Sequence, residues 1–235
     1  MKIALLGYGR MGKEIEKLAL QRGHEIVLKI FEKQEYDIRR ADIAIDFSIP
    51  TAVFENICNC FEHKVPVISG TTGWLDQYEK AIEVCNKNKA SFIYASNFSL
   101  GMNIFSELNK QLANMMKEWK NYKIGMEEIH HTKKLDAPSG TAITLAEGIM
   151  ENTNYDDWEL IPKQEIERNK IPIEAKRIPN VLGTHIIKYD SDIDTIEIKH
   201  TTHNRAGFAL GALIAAEWIV GKTGVYTMKD VLNIG

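Results

Sequence analysis

The sequence predicts an α/β protein: a Rossmann-like doubly wound parallel sheet joined to a second α+β domain with a mixed or antiparallel sheet. Three observations carry that prediction. Short, almost wholly apolar strands alternate with helical repeats through the first part of the chain, starting with "KIALLG" at 2–7. A G-x-G-x-x-G run, "GYGRMG" at 7–12, closes that strand and opens a helix. Beyond about residue 99, three segments alternate polar and apolar residues, the pattern of strands with one wet face.

Taken in order, Met11, Ile15, Leu18 and Ala19 recur at helical spacing, and Gly23 stands where a helix C-cap glycine belongs. Further strands are predicted at 25–30, 42–47, 65–69 and 91–95, with helices over 50–63 and 74–88. Only about a dozen residues separate the second strand from the third, too few for a full crossover helix, so that connection is abbreviated. A long helix over about 100–118 leads to the strand "NYKIGMEEIHH" (121–131), and a helix follows over about 139–151. After a polar stretch (152–170), strands are expected at 171–178, 183–190 and 193–203. The apolar helix 206–221 and a short one near 226–233 end the chain. This divides it into a dinucleotide-binding domain over 1–98, completed by helices from 206–235, and a substrate-binding and oligomerisation domain over 99–205.

Composition narrows the partners. The 235 residues are 44% hydrophobic and 26% charged, with a formal net charge of −3, which offers no basic footprint for nucleic acid. No stretch has the length of a membrane span, and Met1 runs into the first strand without a signal-peptide pattern. Cys58, Cys60 and Cys85 form no C-x-x-C pair and read as thiols of a reducing compartment rather than metal ligands. The expectation is a cytoplasmic protein with a small-molecule ligand and neither metal, nucleic acid nor membrane as partner.

The glycine run has a physical purpose. Glycines permit a tight turn and close backbone approach, and the helix N-terminus faces a pyrophosphate. Gly7, Tyr8, Gly9, Arg10, Met11 and Gly12 are therefore the first cofactor candidates. An acidic residue about 20 positions on would accept from a ribose hydroxyl. Glu32 stands there with Lys33 beside it; a carboxylate suits NADH and a cation suits the extra phosphate of NADPH, so both stay open. "GTTG" (70–73) and "ASNFS" (95–99) follow the fourth and fifth strands. Gly70, Thr71, Thr72, Ala95, Ser96, Asn97 and Phe98 thus join the cofactor set, although a glycine turn and an N-cap at Ser99 would explain them as well.

A second concentration of chemistry lies in "EEIHHTKKLDAPSGTA" (127–142). His130, His131, Lys133 and Lys134 gather positive charge just before a helix that Ser139, Gly140 and Thr141 begin. The amides of Gly140 and Thr141 and the Thr141 hydroxyl make an anion site. A net-negative chain that collects cations there is suited to a small carboxylate. Asp136 either orients a cation or caps the helix. Hydride acceptance calls for a proton donor, which histidine or lysine supplies. Adjacent histidines lack the i, i+4 spacing of a helical metal pair.

"EIHHTKKLDAPSGTA" closely resembles the signature of the dihydrodipicolinate reductase (4-hydroxy-tetrahydrodipicolinate reductase) family. "GYGRMG", "IDFSIP", "GTTG", "SNFSLGMN" and "FALGALIAAEW" occur in the family's order, so the resemblance spans nearly the whole chain. It implies reduction of a cyclic imine dicarboxylate by NADH or NADPH in diaminopimelate and lysine biosynthesis. It also implies His130 as proton donor and acceptor, Lys134 as a second acid, and His131, Gly140 and Thr141 at the substrate carboxylates. A homotetramer assembled through the second domain's sheet is implied too. Four departures touch the cofactor pocket: a glycine loop one residue shorter, Phe31 at a commonly acidic place, Ile49 where arginine is frequent, and the short second crossover. The alternatives are another NAD(P)-dependent amino-acid dehydrogenase, which has no need of the 130–141 cluster, or a silent dinucleotide sensor, which has no reason to keep His130 and Lys134 together.

Overall fold

The computed structural model describes residues 1–31, 34–161, 169–204 and 206–234. Along the chain come β1 (Lys2–Leu6), α1 (Arg10–Gln21), β2 (Glu25–Ile30), β3 (Ile43–Asp46), α2 (Val53–Glu62), β4 (Val67–Ser69), α3 (Tyr78–Asn88) and β5 (Ser91–Tyr94). Then follow α4 (Leu100–Met116), β6 (Lys123–His130), α5 (Gly140–Met150), β7 (Asp157–Ile161), β8 (Lys170–Arg177), β9 (Gly183–Asp190) and β10 (Thr195–Thr202). The apolar α6 (Ala206–Ile219), β11 (Gly224–Tyr226) and α7 (Met228–Leu232) complete the described elements. The chain divides into two compact units, Met1–Asn103 with Ala206–Gly235, and Ile104–Arg205.

In the first unit six strands form a parallel sheet in the order β11-β5-β4-β3-β1-β2. Alternate residues of β1 feed two separate cores, which explains why the strand is apolar throughout. Ile3 and Leu5 pack with Ile15 and Ala19 of α1 and with the alanine-rich face of α6. Ala4 and Leu6 pack with Val53, Ile57 and Phe61 of α2 and with Ala81 and Cys85 of α3. Each fully buried valine, leucine, isoleucine or phenylalanine side chain among these contributes about 1.5–3 kcal/mol. Among the described residues, the short connection after β2 holds only a single 3₁₀ turn, Ile38–Arg40, so the abbreviated crossover is borne out.

The second unit's five strands run β10-β9-β6-β8-β7, a mixed sheet in which β8 lies parallel to both neighbours and β9 antiparallel to its own. Along β6, Ile124, Met126, Glu128 and His130 are buried while the intervening residues are not. That alternation carries the buried face of the sheet to a polar end at His130.

Two strands depart from the sequence reading. The stretch 152–170, taken as polar, contains β7 at the sheet edge, where "DWELI" needs only one well-packed partner. The short helix that the sequence places near 226–233 is α7, Met228–Leu232, and just before it the unpredicted "GVY" adds a sixth strand beside β5.

Candidate functional site

In the first unit the glycine loop leaves β1 with Gly7 at φ +94, and the Gly7 and Tyr8 amides donate to the Ile30 carbonyl. Gly9 is the N-cap of α1 with no side-chain cap, so the first helical amides point at an open space. Arg10 is exposed beside it. The Tyr8 hydroxyl donates to Glu16, which also pairs with Lys29. This folds the Tyr8 ring back against β2, edge-on to Phe31 at 4.8 Å.

A cavity of about 630 Å³ opens here, lined among others by Gly7, Gly9, Phe31, Ser48, Ile49 and Asn56. Its size and its glycine floor fit the adenosine half of a dinucleotide. Glu32 and Lys33 lie outside the described residues.

Beneath the cavity is a hub that the sequence did not reveal. The carboxylate of Asp46, fully buried at the end of β3, accepts from Ser48 Oγ (2.7 Å), Asn56 Nδ2 (3.0 Å), Ser69 Oγ (3.0 Å) and Thr71 Oγ1 (2.6 Å). Burial pushes its pKa up; the hydroxyl and amide donors pull the other way. The Thr71 hydroxyl also accepts from the Ser48 amide. Thr71 therefore spends its side chain on the fold, and its backbone as well: its amide donates to Ser69 Oγ at 3.4 Å and its carbonyl accepts from Trp74 Nε1 at 2.8 Å. A carboxylate ending an apolar strand was the available signal.

The "ASNFS" loop is likewise committed in part. Asn97 Oδ1 accepts from the Ser99 amide, and Ser99 Oγ accepts from Met102, capping α4. Phe98 is buried in the core shared with α6. Gly70 and Thr72, with Ala95 and Ser96, stay at the same edge of the sheet, where the Gly70 amide donates to the Asp46 backbone carbonyl and that of Ala95 to the Ser69 backbone carbonyl.

The second unit's site is assembled by strand register. Glu128 of β6 pairs opposite His185 of β9, and His130 opposite Arg177 of β8. Alternation puts these four on the buried face. Glu128 has no exposed surface: its Oε1 accepts from Arg177 at 3.0 Å and its Oε2 from the Ser139 amide at 2.9 Å. Ser139 Oγ lies 3.3 Å from His185 Nε2 and accepts from the Ala142 amide, so Ser139 is the N-cap of α5. Asp136 instead binds Lys134 at 2.8 Å. The Lys134 amide donates to the His131 carbonyl, closing a tight turn that holds Lys134 beside His130 and His131. The Ala137–Pro138 peptide is cis. Gly183 makes room for His130: a Cβ there would stand 3.2 Å from His130 Nε2.

Electrostatics separate the groups. Burial opposes the Glu128 charge, but the Ser139 and Arg177 hydrogen bonds outweigh it and hold the carboxyl below its usual range. Burial lowers the His130 pKa; Glu128, 3.6 Å away, pulls it up, and the Lys134 and Arg177 cations push it down. His185 is pushed down to about 4, chiefly by burial and next by His130, whose ring meets its own edge-on at 5.2 Å. Glu128, His130 and His185 offer ligand atoms within 4.8 Å of one another. Both Glu128 oxygens are already engaged and a guanidinium sits on one of them, so this carboxylate is committed to Arg177 and Ser139.

A stability effect follows from His185. Its folded pKa near 4 lies below the ordinary 6.5, so the unfolded chain binds the proton first as the pH falls. Stability from this residue is intact above pH 6.5 and is lost between 6.5 and about 4, by on the order of 3 kcal/mol in all. Melting temperatures at pH 7.5 and 4.5 are expected to differ less in His185→Asn than in the parent. An equal difference in both would remove His185 as the cause.

A parallel sheet with a glycine loop at its carboxyl edge and a separate unit presenting histidine, lysine and a helix N-terminus define a dinucleotide-dependent oxidoreductase. The family models for the N-terminus and C-terminus of dihydrodipicolinate reductase match residues 1–98 and 101–232. The 4-hydroxy-tetrahydrodipicolinate reductase of Christiangramia forsetii is 55% identical over 99% of this chain and 98% of its own. That of Alkaliphilus oremlandii is 35% identical over 96% and 95%. A dipicolinate-bound dihydrodipicolinate reductase from Paenisporosarcina sp. TG-14 has the same fold, with a TM-score of 0.77 at 22% identity over 97% of each chain. The chain belongs to the dihydrodipicolinate reductase family, NAD(P)H-dependent oxidoreductases of diaminopimelate and lysine biosynthesis that reduce 4-hydroxy-tetrahydrodipicolinate. No helix among the described residues is long and apolar enough to cross a membrane.

Proposed function

We propose that the first unit binds the nicotinamide dinucleotide and the second binds the dicarboxylate, with His130 and Lys134 as the proton-handling pair. The bound dinucleotide supplies the hydride. The α1 N-terminus, with Gly7, Tyr8, Gly9, Arg10, Met11 and Gly12, receives the pyrophosphate; Gly70, Thr72, Ala95, Ser96 and the Asn97 amide face the remaining polar groups, while Thr71 holds their loop in place through its bonds to Asp46, Ser69 and Trp74. Phe98 supports that loop from the core. Glu32 and Lys33 are proposed at the adenosine ribose.

In the second unit the Gly140 and Thr141 amides and the His131 ring hold a carboxylate, using the α5 N-terminus that Ser139 caps. Lys134 Nζ donates a proton as negative charge builds on the reduced ring, and its own positive charge offsets that build-up beforehand. His130, kept neutral by burial, passes a proton at an imidazole nitrogen. One observation carries this reading: the His130–Lys134 turn and the α5 N-terminus are both anchored on the same buried carboxylate, Glu128.

A cytoplasmic homotetramer completes the proposal. The large apolar side chains left exposed around the second sheet, Leu182, Ile193 and Ile196, support association through that unit. The test is loss of reduced-nicotinamide absorbance with substrate generated in place by the synthase that joins pyruvate to aspartate semialdehyde. Oxidation dependent on both precursors is the expected result, and the NADH and NADPH rates decide the preference. Nucleotide binding without oxidation would favour the sensor.

A further inference from the structure

The turn that carries Lys134 has few anchors of its own. Its side chain pairs with Asp136, whose side chain is 59% exposed, and its amide makes one bond to the His131 carbonyl. Thr132, Lys133 and Leu135 are exposed, Leu135 at 97%. A catalytic ammonium on such a segment needs to be placed from outside the segment. Among the described residues, that role falls to Arg177 at the end of β8.

Arg177 makes four bonds with one planar group. One Nη donates to Glu128 Oε1 at 3.0 Å and to the Asp136 carbonyl at 2.6 Å; the other donates to the Lys176 carbonyl at 2.8 Å. Nε reaches the Lys134 carbonyl at 3.4 Å, the longest of the set. The guanidinium therefore ties the turn on both sides of Leu135 to β6 through a fully buried carboxylate. That carboxylate in turn fixes the Ser139 amide and so the start of α5. The register that sets Arg177 opposite His130 also puts its charge next to the imidazole.

We propose that Arg177 is a positioning residue for the reduction: by bridging Glu128 to the Lys134 and Asp136 carbonyls, it fixes where Lys134 Nζ stands relative to His130. This rests on the roles given above to Lys134 and His130. A planar fork is required, because a lysine ammonium at the same place cannot reach Glu128 and the Asp136 carbonyl with the same geometry. Displacement of a catalytic group by about 1 Å can cost on the order of 100-fold in rate.

The experiment compares Arg177→Ala, Arg177→Lys and Lys134→Ala in the full chain, with kcat, substrate KM, NADH affinity and melting temperature measured for each. Both Arg177 variants are expected to lose about 100-fold in kcat while NADH affinity stays within twofold. Guanidinium added to Arg177→Ala is expected to restore at least tenfold of the loss, and to restore nothing in Lys134→Ala. The pH profile supplies a readout that a structural role would not move. His130 faces Glu128 on β6, Arg177 on β8, His185 on β9, and His131 and Lys134 on the turn. Removing the Arg177 cation raises the pH at which His130 gains its proton, so the acid limb of kcat/KM moves upward and returns with guanidinium. A kcat within twofold of the parent in a folded Arg177 variant would overturn the proposal. So would a loss in folded Arg177→Ala that guanidinium does not reverse. If Arg177→Ala fails to fold, Arg177→Lys, which keeps the cation but not the planar fork, decides by kcat alone: a parental kcat would overturn the proposal. Parental kcat in Lys134→Ala would instead remove the underlying reading of the site.

Discussion

Replacement of Lys134 by alanine is expected to lower kcat by about 100- to 10,000-fold, the range that a positioned general acid contributes. The fold should not register the change. Its ion pair with Asp136 is largely open to water on the carboxylate side, and such pairs contribute roughly 0–1 kcal/mol. Melting temperature is therefore expected to stay within a few degrees of the parent. NADH affinity, read by fluorescence titration, is expected to stay within twofold, since the proposed dinucleotide contacts belong to the other unit. A parental rate would exclude Lys134 as the acid. A rate lost together with NADH affinity would mean that the substitution acts through structure.

The sequence made some parts of this site legible and hid others, and the division has a physical basis. Gly7–Gly12 and Ser139–Thr141 are local: a strand end followed by a helix start is written in consecutive residues, and the structure places both helix N-termini as expected. His130 and Lys134 are also near neighbours in sequence, and a single turn brings them together. Arg177 and His185 are more than forty residues away and join Glu128 only through strand register, which is set by the whole sheet. Glu128 itself was visible as a letter of the motif, but its burial was not, because alternation along β6 makes every second residue inward whether apolar or charged. Asp46 was hidden because its partners Ser48, Asn56, Ser69 and Thr71 come from three segments. The missed strands β7 and β11 are edge strands that pair on one side only, so their sequences need little of the apolar continuity that identified β1 and β3.

The glycine loop allows fold and cofactor binding to be separated by two substitutions. At Gly7 an added Cβ would lie 2.1 Å from the Phe47 carbonyl oxygen and 2.5 Å from the Ser48 amide nitrogen, at a φ of +94. Both obstacles are backbone, so no rotamer change relieves them, and the dihedral itself disfavours any L side chain. Gly7→Ala is expected to destabilise the first unit by about 2–4 kcal/mol, a fall in melting temperature on the order of 10 °C, and to abolish measurable NADH binding. At Gly9 a Cβ meets nothing within 4 Å, and φ is −81. Gly9→Ala should melt with the parent. If the pyrophosphate rests on the α1 N-terminus, however, the new methyl enters the space that the phosphates require, and NADH affinity is expected to fall at least tenfold. Parental affinity in Gly9→Ala would move the pyrophosphate away from this loop. Loss of affinity at unchanged stability would fix it there, because no change in the folded chain itself would remain to explain the loss.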